Sequence, residues 1–396
     1  MVGWSKEATA PRPRTLKRCR FFCLAFVAAL LPVLALAASE AHPALGELCL
    51  LPALAESLAQ YQQLAAQGGW RQVPAGPTLR AGDRSERILF LKERLVASSD
   101  LAAPADQGEE FDGDLKAAVQ RFQARHGLTV DGIVGVRTMA ELNVPIDRRI
   151  RQLAASLERC QPLPQLLERR HILINIADFT LKLFEDGKLL LAMPVIVGKT
   201  YRQTPVFSGR ISSLVLNPCW EVPHSIATQD LLPKIKKDPG YLGKFHFRVY
   251  ADWNSPAEID PTTIDWTALS RARFPYLLRQ DPGPDNALGG VKFFLSNPYD
   301  VYLHDTPHRE LFQKDSRTFS SGCIRLARPL DLAIYLLRGT PLGSMAALTS
   351  AISRAETQCV DIPSPIAIHM VYMTAWVDPE GRIQFRPDIY HRNPAL

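Results

Sequence analysis

The sequence lacks several features that would assign it to a class at once. It has no internal repeat and no low-complexity tract, and after residue 37 no apolar run is long enough to span a bilayer. Its composition, 46% hydrophobic and 22% charged, is that of an ordinary folded protein. This excludes a wholly disordered chain and a multi-pass membrane protein.

An excess of charge is also missing from most of the chain. The net charge is +6, but residues 1–37 alone contain six basic residues and one acidic residue. The rest of the chain is therefore close to neutral. A nucleic-acid-binding protein, which needs a basic surface, is not supported.

The first 37 residues have the plan of an export signal. A basic segment over 12–20 precedes the apolar run 21–37, and small residues before position 38 predict cleavage after Ala37. The alternative is an uncleaved membrane anchor, although this run has only 17 residues and contains a proline. In both cases we expect the rest of the chain to be exported. Membrane contact is expected only through residues 21–37, and only if this segment is not cleaved.

Cysteine is infrequent, and export changes its interpretation. Two of the seven cysteines, Cys19 and Cys23, lie in the leader. An odd number remains, which implies at least one free thiol in an exported protein. The other four could form up to two disulfides, and the sequence leaves their pairing open. The five remaining cysteines are Cys49, Cys160, Cys219, Cys323 and Cys359.

A chain of 396 residues is expected to contain two or three domains, and its first half is helical in pattern. Residues 45–81 contain a helical segment and a connector. Residues 82–145 form a predicted three-helix module, because apolar residues recur at helical spacing in two segments and a short third helix follows. We interpret residues 146–167 as a charged linker helix.

The pattern then changes from helices to strands. Alternating apolar residues over 172–176 and 179–183 predict a mainly β domain over 168–396. Residues 228–290 interrupt it with seven prolines, which indicates an inserted lid subdomain because structureless loops of that length are uncommon. The predicted fold class is α+β multidomain. Further strands are predicted at 189–197, 211–216, 291–295, 300–304, 368–377 and 382–386.

The residues around Cys323 have the composition of a thiol active site. A nucleophilic thiol needs a nearby base and donors for the developing oxyanion. Gly322 lets successive backbone N–H groups point to one side, so the N–H groups of Gly322 and Cys323 are candidate oxyanion donors. His304, 19 residues earlier at the end of a predicted strand, is the candidate base.

Three alternatives stand beside this interpretation. Cys323 could be a buried structural thiol or half of a disulfide, and His304 could be a structural histidine. His304 and His308 also have the spacing of a zinc-binding helix. Pro307 lies between them and disfavours a regular helix, and no acidic ligands accompany them, so we expect no metal.

Several segments carry a family resemblance. HDTP (304–307) and SSGCIRL (320–326) resemble the signature of L,D-transpeptidase (YkuD-type) catalytic domains. The segments VGK, NPCW, DPGY and MTAW resemble the large periplasmic YcbB-like or LdtD-like branch of that family. In the helical module, AVQRFQ, HGL and DGIVG resemble the small peptidoglycan-binding domain. The resemblance extends from about residue 69 to about residue 390.

The resemblance assigns expected roles residue by residue. Cys323 matches the nucleophile, His304 the base and Gly322 the glycine of the oxyanion loop. Ser321 stands where many members have a second histidine, so His304 alone serves as base. A backbone carbonyl or the carboxylate of Asp305 would orient His304. The resemblance also matches Tyr302, two residues before His304, and Arg325, which would bind a substrate carboxylate or fix the loop. Trp220 is a further candidate, which would line the donor groove or belong to the core.

The resemblance also implies an activity. Such enzymes join peptidoglycan stem peptides by 3→3 cross-links through a thioester on the cysteine, use no cofactor, and are acylated by carbapenems. The expected partners are peptidoglycan stem peptides and glycan. Two other functions stay open: an L,D-carboxypeptidase or lipoprotein-releasing hydrolase of the same fold, and a non-catalytic wall-binding protein.

Overall fold

The computed structural model describes residues 51–102, 108–252 and 257–394. The predicted leader and Cys49 lie outside these residues. A set of helices comes first and a mainly β domain follows, which confirms the predicted fold class. Within the described residues, no helix is both long enough and apolar enough to cross a membrane.

Six helices of the described residues precede the β domain. Their bounds are α1 (Leu51–Ala66), α2 (Arg87–Ala97), α3 (Gly113–Arg125), α4 (Val136–Leu142), α5 (Ile146–Cys160) and α6 (Leu163–Leu166). Helices α2, α3 and α4 enclose one apolar core, in which Leu91, Leu95 and Phe122 are fully buried. Helix α3 begins where the Asp112 side chain accepts a hydrogen bond from the Leu115 N–H at 2.8 Å.

The β domain contains fifteen strands among the described residues, together with short helices. The strands are β1 (Arg170–Asn175), β2 (Thr180–Glu185), β3 (Lys188–Gly198), β4 (Phe207–Leu216), β5 (Trp220–Glu221), β6 (Phe247–Tyr250), β7 (Glu258–Ile259), β8 (Leu277–Gln280), β9 (Val291–Leu295), β10 (Leu303–His304), β11 (Thr318–Ser320), β12 (Ile324–Leu326), β13 (Gln358–Val371), β14 (Ala375–Val377) and β15 (Ile383–Phe385). The α-helices are α7 (His224–Ile226), α8 (Leu232–Lys237), α9 (Tyr241–Lys244), α10 (Pro329–Leu336) and α11 (Met345–Ser353), and a π-helix spans Ala227–Leu231. Short 3-10 helices span Pro261–Thr263, Trp266–Ala268 and Arg309–Gln313.

Nine strands form the main sheet, in the order β11-β3-β12-β10-β9-β4-β13-β1-β2. Strand β3 also pairs with β2, so the sheet closes on itself around an apolar core. The strands alternate as their sequences predict: Val291, Phe293 and Leu295 of β9 belong to this core. Lys292 and Phe294 of the same strand therefore lie on the opposite face.

The insertion forms a subdomain with its own sheet, in the order β5-β8-β6-β7, and its own apolar core. It begins earlier than the predicted residue 228, because Trp220 in β5 pairs with Gln280 in β8. Asn286 closes the base of the insertion. Its side-chain amide donates to the carbonyls of Pro218 at 3.0 Å and Asp281 at 2.8 Å, which joins the two connections to the main sheet.

Two segments differ from the predicted pattern. The predicted strand over 368–377 is interrupted after β13, because the Asn175 side chain pairs with both the N–H and the carbonyl of Met373, each at 3.0 Å. Helix α5 is packed rather than only linking, since Leu153 is fully buried and the Ser156 hydroxyl accepts from the Ala375 N–H at 3.0 Å.

The helical module packs directly on the β domain. The His126 ring stacks between Phe122 and Phe385, with ring centroids 3.8 and 5.5 Å away. Arg386 donates to the Arg125 carbonyl at 3.0 Å and lies across Gly127, where a Cβ atom would be 2.7 Å from the arginine side chain. The His-Gly pair of the module therefore makes an interdomain contact.

The cysteines fall into two classes. Cys160, at the end of α5, is disulfide-bonded, whereas Cys219, Cys323 and Cys359 are free thiols. Of the pairings that the sequence leaves open, a bond between Cys219 and Cys359 is therefore not formed in this structure.

A buried ion pair inside the module gives a stability prediction. Arg125 contacts the Asp100 carboxylate through two hydrogen bonds of 2.6 and 2.5 Å, and the two side chains are 9% and 3% exposed. Asp100→Asn leaves the arginine charge buried without a partner. We expect the free energy of unfolding, measured by urea denaturation, to fall by about 3 kcal/mol.

The matched control is the exposed pair of Arg84 and Glu110, whose side chains are 78% and 52% exposed. Glu110→Gln should change the free energy of unfolding by less than about 1 kcal/mol, because solvent screens this pair. Equal losses in the two variants would contradict the assignment of Asp100 as a structural partner.

Candidate active site

Strand pairing brings the predicted nucleophile and base together. Strands β10 and β12 are parallel, with Leu303 opposite Ile324 and His304 opposite Arg325. Leu303 and Ile324 belong to the apolar core, so their neighbours His304, Cys323 and Arg325 face the other way. Arg325 is the pairing partner of His304, and Cys323 comes two residues before Arg325, so Cys323 lies diagonally across the strand pair from His304.

The His304 side chain is held by the backbone. It is 5% exposed, and its Nδ1 atom lies 2.6 Å from the Asp305 carbonyl oxygen. A carbonyl oxygen only accepts, so the proton sits on Nδ1, and Nε2 keeps a free lone pair. The Asp305 carboxylate turns away, accepting from the Gly290 N–H at 3.0 Å and pairing with Arg309 at 2.8 Å.

Burial keeps both reacting groups neutral at rest. It lowers the pKa of His304 to about 3, and the positive charges of Arg325 and Lys292 act in the same direction. Burial also raises the pKa of the Cys323 thiol, against the lowering effects of Tyr302, Lys292 and Arg325. At neutral pH the resting pair is therefore a thiol and an uncharged imidazole.

Serine and threonine side chains shape the loop before the cysteine. Gly322 has φ +118°, a conformation that favours glycine. The Thr204 hydroxyl donates to the Gly322 carbonyl at 2.8 Å, and the Ser320 hydroxyl donates to the Cys323 carbonyl at 2.6 Å. Ser320 Oγ also accepts from the Gly322 N–H at 3.1 Å, so this predicted oxyanion donor is engaged. The Cys323 N–H has no hydrogen-bond partner in the described part of the chain.

Tyr302 lies beside the thiol. Its ring centroid is 5.6 Å from that of His304, and its carbonyl accepts from the Ile324 N–H at 3.1 Å. Burial raises the pKa of Tyr302, as does its hydrogen bond with Cys323, while a hydrogen bond with Trp220 lowers it. The tyrosine hydroxyl is therefore a second donor near the reacting sulfur. Trp220 contacts both Tyr302 at the site and the apolar core of the insertion.

Lys292 is a site residue that sequence reasoning missed. It lies opposite His304 in the pairing of β9 with β10, and its ammonium is 4.0 Å from the centroid of the Tyr302 ring. Burial lowers the pKa of Lys292. The sequence did contain one sign of this role, namely a lysine at an outward position of an otherwise apolar strand. The local pattern by itself predicted only the strand.

Arg325 is the second cation at the site. Its Nε atom is buried without a hydrogen-bond partner, and burial lowers its pKa. Within the described ranges, neither Arg325 nor Lys292 forms an ion pair with a carboxylate. No group of three or more potential metal ligands occurs in the same part of the chain.

Arg202 connects the catalytic loop to the insertion. Its Nη1 atom donates to Ser321 Oγ at 2.9 Å and to the Asp230 carboxylate, and Nη2 donates to Gln229 at 2.5 Å. The Arg202 side chain is only 12% exposed. Asp230 and Gln229 lie on the π-helix, so one arginine holds the insertion against Ser321, two positions before Cys323. No sequence motif assigned a role to this arginine.

Comparison with known families agrees with this geometry. Residues 169–342 match the family model described as "L,D-transpeptidase catalytic domain" (YkuD), and both His304 and Cys323 lie inside that range. The matched range takes in most of the β domain that contains the candidate site. Residues 84–142 match the model described as "Putative peptidoglycan binding domain", which coincides with the helical module before the YkuD domain.

One curated relative matches part of the chain. A Haemophilus influenzae protein named "Putative L,D-transpeptidase" is 36% identical over 239 residues, which are 60% of this chain and 47% of that protein. The chain thus spans about half the length of the curated relative it matches. The YcbB-like branch stays a prediction.

Solved structures of L,D-transpeptidases are also similar. The one from Stackebrandtia nassauensis has 14% identity, 75% coverage of this chain, 97% coverage of that chain and a TM-score of 0.28. The one from Xylanimonas cellulosilytica has 12% identity, coverages of 75% and 99%, and a TM-score of 0.23. Likenesses at this level carry no conclusion about the function of the YkuD domain.

The neutral resting pair predicts the pH dependence of alkylation at Cys323. Only the thiolate reacts with iodoacetamide, and its fraction rises with pH until pH exceeds the raised thiol pKa. We expect the rate to rise about tenfold per pH unit from about pH 6 to about pH 9, without a plateau near neutrality.

Peptide mass mapping would measure this rate for Cys323 separately from the free thiols Cys219 and Cys359, which act as internal references. A plateau that begins below about pH 7 would show a preformed thiolate–imidazolium pair, and would contradict the neutral resting state of the two groups.

Proposed function

We propose that this protein is a cysteine-dependent L,D-transpeptidase that forms 3→3 cross-links between peptidoglycan stem peptides through a thioester on Cys323. The observation that carries the proposal is the placement of Cys323 and His304 on the same face of two paired strands. The family of the catalytic domain gives the reaction class.

In the first half-reaction, Cys323 Sγ attacks the carbonyl carbon on the L-centre of diaminopimelate in a tetrapeptide stem. His304 Nε2 accepts the thiol proton, which it can do because the imidazole is uncharged at rest. The Cys323 N–H and the Tyr302 hydroxyl donate to the developing oxyanion. When the C–N bond breaks, His304 returns the proton to the nitrogen of the departing D-Ala.

The second half-reaction reverses these proton movements. The side-chain amine of diaminopimelate on a neighbouring stem attacks the thioester carbonyl, and His304 accepts a proton from that amine. The C–S bond breaks, and the cysteine sulfur takes the proton back. The product is an amide between two stem peptides, and no metal or organic cofactor takes part.

The insertion acts as a lid in this scheme. Water competes with the acceptor amine for the thioester, so a site closed to water favours transfer over hydrolysis. Arg202 supports this role, because it ties the π-helix of the insertion to Ser321 beside the nucleophile. The helical module would hold the enzyme on its polymeric substrate in the cell envelope and raise the local concentration of stems.

Product analysis tests the activity. With a tetrapeptide stem as donor and a second stem as acceptor, the wild type should release D-Ala and form a cross-linked dimer detectable by mass spectrometry. Cys323→Ala should abolish both products, and His304→Ala should slow the reaction by about 10²–10⁴-fold. Cys359→Ala, at an exposed free thiol, is the matched control.

The other functions predict different products. Release of D-Ala without a dimer, at saturating acceptor, would show an L,D-carboxypeptidase. Wall binding that survives Cys323→Ala, with no turnover in the wild type, would show a non-catalytic binding protein.

The lid makes a separate prediction. Arg202→Ala removes the contacts to Ser321 and Asp230, so we expect the ratio of hydrolysed to transferred product to rise several-fold. The control is Arg248→Ala, which removes an arginine that pairs with Asp281 and Glu258 inside the insertion. An unchanged ratio in the Arg202 variant, or an equal rise in the Arg248 variant, would show that Arg202 does not control access of water.

A further inference from the structure

Three neighbouring strands place two cations on either side of the base. Lys292 on β9 is opposite His304 on β10, and His304 is opposite Arg325 on β12. Adjacent strands lie about 4.8 Å apart, so the two cationic residues flank His304 with backbones about 10 Å apart. All three side chains emerge on the face opposite the apolar core. The long lysine and arginine side chains can therefore reach one small ligand placed over the histidine.

Neither cation is neutralised by the protein. The Lys292 ammonium lies against the rings of Tyr302 and Phe294, 4.0 and 4.5 Å from their centroids, and the Arg325 Nε atom is buried without an acceptor. Asp305 is bound to Gly290 and Arg309, and Glu221 forms no ion pair with Lys292 in the described residues.

A partly buried cation without a counter-ion is destabilising, because it has lost hydration that no charged partner replaces. Two of them beside a nucleophile indicate that an anion completes the site when substrate binds. The planar guanidinium of Arg325 and the point charge of Lys292 both suit a carboxylate.

The chemistry at His304 identifies which carboxylate fits. His304 must contact the nitrogen of the leaving residue to protonate it. In an α-amino acid, the carbon that bears this nitrogen also bears the carboxylate. The carboxylate of a C-terminal leaving residue is therefore held within about 3 Å of that nitrogen by covalent geometry, between the two cations.

The same position serves the second half-reaction. By microscopic reversibility, the attacking amine arrives where the leaving amine departed. In the acceptor, the D-centre of diaminopimelate carries an amine and a carboxylate on one carbon, as D-Ala does. One subsite for the carboxylate can therefore orient the leaving residue in the first half-reaction and the attacking amine in the second.

We propose that Lys292 and Arg325 form a carboxylate subsite over His304, which binds the α-carboxylate of the leaving residue and then the carboxylate beside the attacking amine. The subsite restricts the donor to a stem that ends one residue after the scissile bond, and the acceptor to an amine with a neighbouring carboxylate. This inference rests on the proposed function for the identity of its substrates, but the anion preference of the subsite can be measured without them.

The first test compares two small alkylating agents that differ in charge. Iodoacetate carries a carboxylate and iodoacetamide does not, and both form the same C–S bond at Cys323 with loss of iodide. We expect Lys292→Gln and Arg325→Gln each to lower the ratio of the iodoacetate rate to the iodoacetamide rate by about tenfold. Lys292→Arg should retain most of the ratio, because it keeps the charge.

The ratio separates recognition from activation of the thiol. If the cations acted only by favouring the thiolate, both rates would fall together in Lys292→Gln and the ratio would stay that of the wild type. Lys188→Gln is the matched control, since it removes one positive charge at an exposed hairpin position. An unchanged ratio in both Lys292→Gln and Arg325→Gln, or an equal fall in Lys188→Gln, overturns the subsite.

The second test uses the tetrapeptide donor with a free or an amidated C-terminal carboxylate. The wild type should prefer the free acid in kcat/KM by about tenfold or more, and Lys292→Gln should reduce that preference. Equal kcat/KM values for the two donors in the wild type would overturn the subsite. A wild type inactive on both donors would count against the proposed function, and the alkylation ratio would then decide the subsite alone.

Discussion

The register of one two-residue strand determines the chemistry of this protein. Strand β10 lies between β9 and β12, and Leu303 is buried in the core of the closed sheet while His304 faces the site. A shift by one residue would exchange these two faces and turn the base into the apolar core. The apolar packing of Leu303 with Ile324, and the hydrogen bond from the Ile324 N–H to the Tyr302 carbonyl, hold that register.

The same arrangement makes the electrostatics of the site unusual. Burial opposes charge on the ionisable groups there, so the histidine and the cysteine are both neutral at rest. The neighbouring arginine and lysine form no ion pair with a carboxylate in the part of the chain that the structure describes. The protein therefore places positive potential at a point where a substrate gains and loses negative charge. The packing of the closed core offsets the unfavourable free energy of holding these groups close together.

Local pattern in the sequence was sufficient for much of this. Alternation and helical spacing predicted the helices of the module and the strands β1 and β2, because each depends on residues close together in the chain. The thiol motif at 320–323 and His304 were found through residue type and family resemblance. The Asp305 carbonyl, rather than its carboxylate, orients His304, which was one of the two options that the sequence left open.

What the sequence could not provide depends on contacts between distant segments. Lys292 becomes part of the site only through the register of β9 with β10, and Arg202 contacts Ser321 across 119 positions of the chain. The engagement of the Gly322 N–H by Ser320 follows from the detailed path of a four-residue loop. The insertion begins at Trp220 because that residue pairs with β8, a contact that no local periodicity encodes.

The docking of the helical module has a consequence for the geometry of the wall. Helix α3 is fixed to the β domain through His126, Gly127 and Arg386, and not through a flexible tether. A glycan strand held by the module would then be presented to Cys323 at one distance and one angle. Under the proposed function, the fixed distance between the module and Cys323 would then decide which neighbouring stems can be joined.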